Sequence, residues 1–196
     1  MRLDLVIGSN GAGKTTFVRK VLLRSLPPGT LFVNADEIAA QRWPDDPEGR
    51  SYDAARVAAA TRAALISARR PFVAETVFSH PSKLDLVADA RAAGYTVALH
   101  VILVPEDLTV LRVEHRVASG GHRVPEEKVR QRYRRLWSLA SRAMVLGDSA
   151  TVYDNAAHSG PRIVAQLIGG VPVGQVRWPV WAPVELTTRW PAPRTD

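Results

Sequence analysis

Short apolar segments alternate with longer mixed segments along most of this chain. The longer segments have the length of helices and end at Pro or Gly, whereas the short ones have the composition of buried strands. The predicted strands cover residues 3–7, 31–34, 72–75, 95–104 and 151–154. The predicted helices cover about 14–26, 52–69, 82–94, 106–119, 125–146 and 161–168. This alternation predicts an α/β fold in which a parallel five-stranded sheet is covered by helices on both faces. The strand at 95–104, apolar on both faces, is the candidate for its centre.

The alternating pattern ends near residue 168, and we predict a single domain, 1–168. Residues 169–196 are rich in Pro and contain Trp178, Trp181 and Trp190. We predict that this segment is an extended tail that packs on the domain. Its tryptophans either bury against the body or form an arm that binds a partner, and we favour burial.

Composition narrows the function classes only a little. The chain has 196 residues, no cysteine and a net charge of +7. Disulfides and thiolate metal sites are therefore excluded, and anionic partners, either nucleotide or nucleic acid, are favoured. No apolar run is long enough to span a membrane, and the first residues run directly into a motif without room for a signal peptide. We therefore expect a cytoplasmic protein without a membrane partner.

A complete phosphate-binding motif follows the first predicted strand and opens the first helix. Residues 8–15 fit G-x-x-x-x-G-K-[ST], the P-loop, and a strand before it and a helix after it are the context that this motif requires. Glycines let backbone N–H groups converge on phosphate oxygens, Lys14 reaches the β- and γ-phosphates, and the Thr15 hydroxyl binds Mg²⁺. The predicted ATP-binding residues here are Gly8, Ser9, Asn10, Gly11, Ala12, Gly13, Lys14, Thr15 and Thr16. The motif predicts a three-layer P-loop NTPase fold.

Asp36 is the candidate catalytic base. It lies just past the second predicted strand, and ligands of parallel sheets bind beyond the carboxyl ends of the strands. A carboxylate there can accept the proton of a hydroxyl that attacks the γ-phosphate. The alternative is that Asp36 is the N-cap of a helix that begins at Glu37.

Three further residues are predicted to bind the acceptor at the same edge. Glu75 and Thr76 end the third strand, and Glu75 either holds Mg²⁺ through water or binds the acceptor. His80 extends this pocket, although a role in the turn before Pro81 is equally compatible with its position.

Nine Lys or Arg and only three Glu lie between Arg112 and Arg142. We predict that residues of about 112–135 form an arginine-rich lid, because the charge that develops on a transferring phosphoryl group needs multidentate donors. Arg116 and Arg123 flank the Gly120-Gly121 pair and are the candidate catalytic arginines. Arg116 is also predicted to bind ATP, and Arg132 is predicted to bind the acceptor. The alternative, a solvated basic face with Glu partners, is favoured for Arg134 and Arg135.

The last predicted strand ends at Tyr153-Asp154-Asn155. Its loop is expected near the adenine, where Asn155 either contacts the base or only orders a turn.

Taken in order, these blocks resemble the zeta-toxin family of P-loop kinases. The resemblance rests on the P-loop, Asn34-Ala35-Asp36-Glu37-Ile38, Glu75-Thr76, Gly120 to Glu126, Arg132-Tyr133 and Tyr153-Asp154-Asn155. It implies ATP- and Mg²⁺-dependent phosphorylation of a sugar nucleotide, with UDP-N-acetylglucosamine as the best-known acceptor, and a small antitoxin protein as partner. It also implies that Lys14 and Thr15 serve the phosphates and Mg²⁺, Asp36 is the base, Glu75 is the acidic site residue, and Arg116 and Arg123 act from the lid.

Two other functions stay open from the sequence. A small-molecule or polynucleotide-end kinase would use the same donor site, and the basic segment at 112–142 is compatible with a nucleic-acid acceptor, although we do not favour it. A nucleotide-dependent binding module or switch would need no acceptor and no base at Asp36.

Overall fold

The computed structural model describes residues 1–118 and 124–193, with the backbone alone at 116–118. A seven-stranded sheet lies at its centre, in the order β2-β3-β1-β4-β5-β6-β7. The strands are β1 (Arg2–Gly8), β2 (Leu31–Val33), β3 (Phe72–Thr76), β4 (Thr96–Leu103), β5 (Ser149–Asp154), β6 (Arg162–Ile168) and β7 (Val171–Pro172). The first five are parallel, as predicted, and β4 is the central strand. The last two are antiparallel additions at one edge.

Six of the seven described helices lie between the parallel strands in sequence, and the seventh follows β7. The seven are α1 (Lys14–Phe17), α2 (Ala35–Arg42), α3 (Ser51–Ser67), α4 (Ser82–Ala92), α5 (Glu106–Ala118), α6 (Glu126–Leu146) and α7 (Val184–Arg189). After Phe17, α1 continues as a π-helical turn and a short 3₁₀ turn as far as Ser25. The α/β fold class and the parallel core of the sheet are thus confirmed.

The prediction of a helix at 161–168 is wrong, because Arg162–Ile168 is a strand that pairs with β5. Ile163, Val164 and Ile168 are β-branched and favour an extended backbone. Ala165 and Leu167 are buried while Gln166 and Ile168 are exposed, which is the alternation of a strand with one covered face. The Gly169-Gly170 pair, with φ of 54° and 79°, then turns the chain into β7. The sheet therefore has seven strands where five were predicted.

The apolar core extends beyond residue 168. Val176, Leu186 and Trp190 are buried in the same cluster as the strands and α6. The indole of Trp178 donates to the carbonyl of Trp190 at 2.7 Å, and that of Trp190 donates to the carbonyl of Gly170 at 2.9 Å. Both bonds satisfy indole N–H groups at or near the edge of the core. Among the described residues, no helix combines the length and the apolar character that crossing a membrane requires.

Candidate functional site

The loops after β1, β2 and β3 meet at one edge of the sheet, because these strands are parallel neighbours. They surround a cavity of about 740 Å³. Most of the predicted site residues line it, namely Asn10, Gly11, Gly13, Lys14, Thr15, Thr16, Asp36, Glu75, Thr76, His80 and Arg132. The topology thus brings together the predicted donor and acceptor residues.

The glycines of the P-loop are required by close contacts. Gly11 and Gly13 have φ of 75° and 87°, a region that residues with a side chain rarely adopt. A Cβ atom on Gly13 would lie 2.7 Å from the side-chain nitrogen of Asn155, which itself donates to the Ala12 carbonyl at 2.8 Å. Asn155 therefore holds the P-loop backbone from the loop after β5. This contact was not predicted for it.

Lys14 lies in the position where a phosphate-binding lysine is expected. Its ammonium group donates to the Ser9 carbonyl at 2.9 Å, across the P-loop from which it comes. The Ser9 hydroxyl is 3.0 Å from the Thr109 hydroxyl of α5, which ties the loop to that helix. Backbone N–H groups in such a loop and a nearby ammonium group suit the phosphates of a nucleotide.

Glu75 is the buried acid of the site. Its Oε1 accepts hydrogen bonds from the Thr15 hydroxyl at 2.9 Å and from the Asn34 amide at 3.0 Å. Its Oε2 is buried and has no hydrogen-bond partner in the described part of the chain. Burial raises the pKa of Glu75, and the nearby Lys14 charge and the Thr15 hydrogen bond oppose this rise. A carboxylate oxygen that is buried without a partner beside a P-loop threonine is suited to the water shell of a Mg²⁺ ion.

Asn34, and not Asp36, is the N-cap of α2. Its Oδ1 accepts hydrogen bonds from the backbone N–H groups of Asp36 at 2.8 Å and of Glu37 at 3.4 Å. The cap alternative for Asp36 is therefore wrong. None of the described side chains is a hydrogen-bond or ion-pair partner of the Asp36 carboxylate, whereas its neighbour Glu37 pairs with Arg19 at 2.8 Å. Asp36 thus brings to the cavity wall a carboxylate that has no partner among the described side chains.

Comparison with known proteins shows the family to which this chain belongs. A family model described as an AAA domain (AAA_33) matches residues 3–138, more than half of the chain. The chain belongs to this AAA-domain family. A Haemophilus influenzae protein described as uncharacterized is 31% identical over 129 residues, which cover 64% of this chain and 88% of that protein. The AAA-domain match includes the P-loop, Asp36 and Glu75, and together with the complete motif it indicates ATP binding.

Two solved structures share the fold of this AAA-domain protein. The structure of AvrRxo1-ORF1:-ORF2 with ATP contains a chain with a TM-score of 0.68 and 19% identity, covering 88% of this chain and 60% of that one. The PezAT chromosomal toxin–antitoxin system of Streptococcus pneumoniae gives a TM-score of 0.64 and 15% identity, covering 85% and 72%. This chain spans about 60% of the length of the first. The predicted P-loop NTPase fold is confirmed, and identities this low show the fold alone.

The arginine-rich segment divides into several roles. Arg123 lies outside the described residues, as does the side chain of Arg116, so their catalytic roles stay predictions. Arg112 donates to the carbonyls of Asn155 at 3.0 Å and Ala156 at 3.2 Å, and so holds the loop after β5. Arg132 is exposed and lines the cavity.

Other arginines of this segment have acidic partners on the protein. Arg130 pairs with Glu106, Asp107 and Glu126, and Arg134 pairs with Glu106 at 3.4 Å. For Arg134 this agrees with the solvated basic face that we favoured.

His80 has a role in the turn. Its Nδ1 accepts from the Ser82 backbone N–H at 3.3 Å and lies 2.8 Å from the Ser82 hydroxyl, at the start of α4, while its ring also lines the cavity. The preceding residue but one, Phe78, is fully buried with a φ of 61°. Backbone strain of this kind in a non-glycine residue is typical of loops whose shape serves a site.

Two cationic residues of the cavity wall were missed from the sequence. Arg62 in α3 is only 7% exposed, and Lys83 at the start of α4 is half-buried. A signal for Arg62 was present, since it continues the i, i+4 row of Ala54 and Ala58, which are both fully buried. An arginine on the buried stripe of an alanine-rich helix is unusual and indicates a specific environment.

Proposed function

We propose that this protein is an ATP- and Mg²⁺-dependent kinase that transfers the γ-phosphate to a hydroxyl group of a small acceptor. One observation carries the proposal: the carboxylate of Asp36, which has no partner among the described side chains, lines the same cavity as Lys14 and Thr15 of the P-loop. A nucleotide-dependent switch has no use for a free carboxylate beside the phosphate site, whereas a kinase needs one.

The residues present fit the nucleotide and its metal ion. The glycine cradle leaves no room for Cβ atoms, and Lys14 already hydrogen-bonds inside the loop. Among the described residues there is no cluster of three or more acidic or histidine side chains that could hold a metal ion alone. This supports Mg²⁺ rather than a protein-caged metal, because Mg²⁺ keeps several waters and takes one or two protein ligands plus the phosphates. Thr15 would hold it directly and Glu75 through water, and when bound it neutralises phosphate charge.

Each residue then has one role in the transfer. Asp36 accepts the proton of the acceptor hydroxyl while the oxygen of that hydroxyl forms a bond to the γ-phosphorus. The bond from the γ-phosphorus to the bridging oxygen breaks, and its electron pair leaves with ADP. Lys14 moves from the Ser9 carbonyl to the β- and γ-phosphates. Arg116 and Arg123 are proposed to stabilise the charge on the transferring group.

For the acceptor we propose a sugar nucleotide, with UDP-N-acetylglucosamine as the first compound to test. The ordered resemblance to the zeta-toxin family supports this choice, and so does the shared fold with the PezAT toxin–antitoxin system. A toxic role and a small antitoxin partner are proposed on the same grounds. Thr76, His80 and Arg132, which line the cavity, are proposed to contact the acceptor.

An acceptor panel tests the proposal. The protein is incubated with ATP, Mg²⁺ and, in turn, UDP-sugars, nucleosides, sugars and RNA with a free 5′ end, and products are identified by mass spectrometry. We expect a mass gain of one phosphoryl group on a UDP-sugar. A phosphoryl group gained by RNA alone would favour the polynucleotide-end kinase. ATP hydrolysis without any phosphorylated acceptor would favour the switch.

A further inference from the structure

A pair of cations in the cavity has no part in the transfer described above. Arg62 comes from α3, which precedes β3, and Lys83 from the first turn of α4, which follows it. The sheet order puts β2 and β3 on one side of β1 and the Asn155 loop after β5 on the other. Because Asn155 holds the P-loop from the β5 side, Arg62 and Lys83 lie on the opposite side, with Asp36 and Glu75. That is the acceptor half of the cavity.

Burial of the charged Arg62 side chain destabilises the protein when no ligand is bound. Arg62 is only 7% exposed, and none of the described side chains forms a hydrogen bond or an ion pair with its guanidinium group. Burial lowers the pKa of its guanidinium group, which nevertheless remains charged because an arginine pKa is so high. A buried charge without a counter-charge destabilises a fold. Binding of a ligand that supplies the counter-charge would explain why an arginine is buried at this position.

The shape of α3 leaves room for such a ligand. The residues of α3 on the cavity wall are Ser51, Tyr52, Ala55, Ala58 and Arg62, and the two that precede Arg62 at helical spacing, Ala55 and Ala58, have short side chains. Arg62 therefore borders the cavity next to the small side chains of Ala55 and Ala58. Lys83 borders the same cavity, and both burial and the charge of Arg62 lower its pKa. Two cations that repel each other across a cavity are relieved by an anion between them.

We propose that Arg62 and Lys83 form a binding site for a phosphate group of the acceptor substrate. This proposal rests on the proposed function for its place in the reaction. A guanidinium group binds two phosphate oxygens at once, and an ammonium group adds a point charge. Two cations match the charge of a phosphate or diphosphate better than that of a single carboxylate. The acceptor class is then a phosphorylated metabolite, and in a sugar nucleotide the group bound would be the diphosphate.

Calorimetry with a filled ATP site tests the anion site without any turnover. The P-loop is saturated with Mg²⁺ and a non-hydrolysable ATP analogue, and inorganic pyrophosphate is then titrated. The variants are Arg62→Met, Lys83→Met and, as the matched control, Arg56→Met, an exposed arginine of α3 outside the cavity. We expect wild type and Arg56→Met to bind pyrophosphate equally, and Arg62→Met to bind it at least about tenfold more weakly. Absence of binding in wild type, equal binding in Arg62→Met, or tighter binding of malonate than of pyrophosphate would overturn the proposal.

Thermal melting separates this role from a structural one. Because Met removes an unpaired buried charge at similar volume, Arg62→Met is expected to melt at or above the wild-type temperature. A lower melting temperature with unchanged pyrophosphate binding would assign Arg62 to the fold and contradict the proposal.

Measurements of pyrophosphate binding and of kinase activity distinguish failure of the anion site from failure of the proposed function. If pyrophosphate binding depends on Arg62 but no acceptor is phosphorylated, the proposed function fails and the anion site stands. If UDP-N-acetylglucosamine is phosphorylated with the same KM by Arg62→Met, the kinase stands and the anion site fails.

Discussion

The Thr15 hydroxyl donates a 2.9 Å hydrogen bond to Oε1 of Glu75, across 60 positions of sequence. This bond joins the last residue of the P-loop to the end of β3, and Asn34 donates to the same oxygen from the end of β2. Three neighbouring strands are thereby connected at one buried carboxylate. The donor and acceptor halves of the proposed site share this residue, and its environment leads to the first prediction.

Glu75→Gln should stabilise the nucleotide-free protein at neutral pH. The folded-state pKa of Glu75 is raised, mainly by burial and also by Asp36 and Glu37, while Lys14 and the Thr15 hydrogen bond oppose the rise. A raised carboxyl pKa means that stability present at low pH is lost as pH increases through the folded-state value. Gln can still accept both hydrogen bonds at Oε1. We expect the free energy of unfolding at pH 7 to be higher for the variant than for wild type.

The pH dependence is the sharper part of this prediction. Denaturant unfolding of wild type and Glu75→Gln is compared between pH 4 and pH 7. The advantage of the variant should grow as pH rises above 4.5, the ordinary value for Glu. An advantage that is constant across this range, or that falls with pH, would show that Glu75 is not destabilised by its charge.

Asn34→Ala should destabilise α2 and remove a hydrogen bond from the Glu75 carboxylate. Its Oδ1 caps α2 and its Nδ2 holds Glu75, so one substitution removes both contacts. Loss of an Asn cap costs about 1 kcal/mol and up to about 2, and the freed Glu75 oxygen adds to this. Chemical denaturation measures the change. Glu37→Gln, in the same turn with an exposed ion pair, is the control and should change stability by less than about 0.5 kcal/mol.

The features of the structure that can be predicted from the sequence are those set by local signals, whereas features set by tertiary contacts cannot be predicted in this way. The parallel sheet and the P-loop are predictable because apolar runs and glycine spacing are local signals. The role of Asn34 is not, since Asn34 and Asp36 are both good caps in sequence and only the position of Glu75 decides between them. Arg62 was missed because burial without a partner among the described side chains is a tertiary property. The strand at 162–168 was mistaken for a helix because alternation of strand and helix outweighed its β-branched residues.

Asn155→Ala should weaken ATP binding more than it weakens folding. The Asn155 amide holds the Ala12 carbonyl at 2.8 Å and lies against Gly13, so its loss loosens the cradle for the phosphates. We expect about a tenfold rise in the Kd for ATP, since a lost hydrogen bond of this kind is worth roughly 1–1.5 kcal/mol. Titration with a fluorescent ATP analogue measures it. An unchanged Kd would contradict the positioning role.

Trp190→Ala should destabilise the whole fold, because Trp190 is 5% exposed within the main apolar cluster. A buried Trp truncated to Ala typically costs about 3–5 kcal/mol. The control is Val180→Ala, on a fully exposed residue of the same segment, which should have little effect. Thermal melting of both variants tests whether residues after 168 belong to the cooperative unit, and equal melting temperatures for the two would contradict it.

The most direct test of the central claim is the rate of phosphorylated-acceptor formation by Asp36→Asn, measured by mass spectrometry beside wild type at saturating ATP and the best acceptor of the panel. Loss of a general base predicts a rate lower by roughly two to four orders of magnitude with an unchanged Kd for ATP, whereas Lys14→Ala should weaken ATP binding itself. A wild-type rate of product formation in Asp36→Asn would contradict the account.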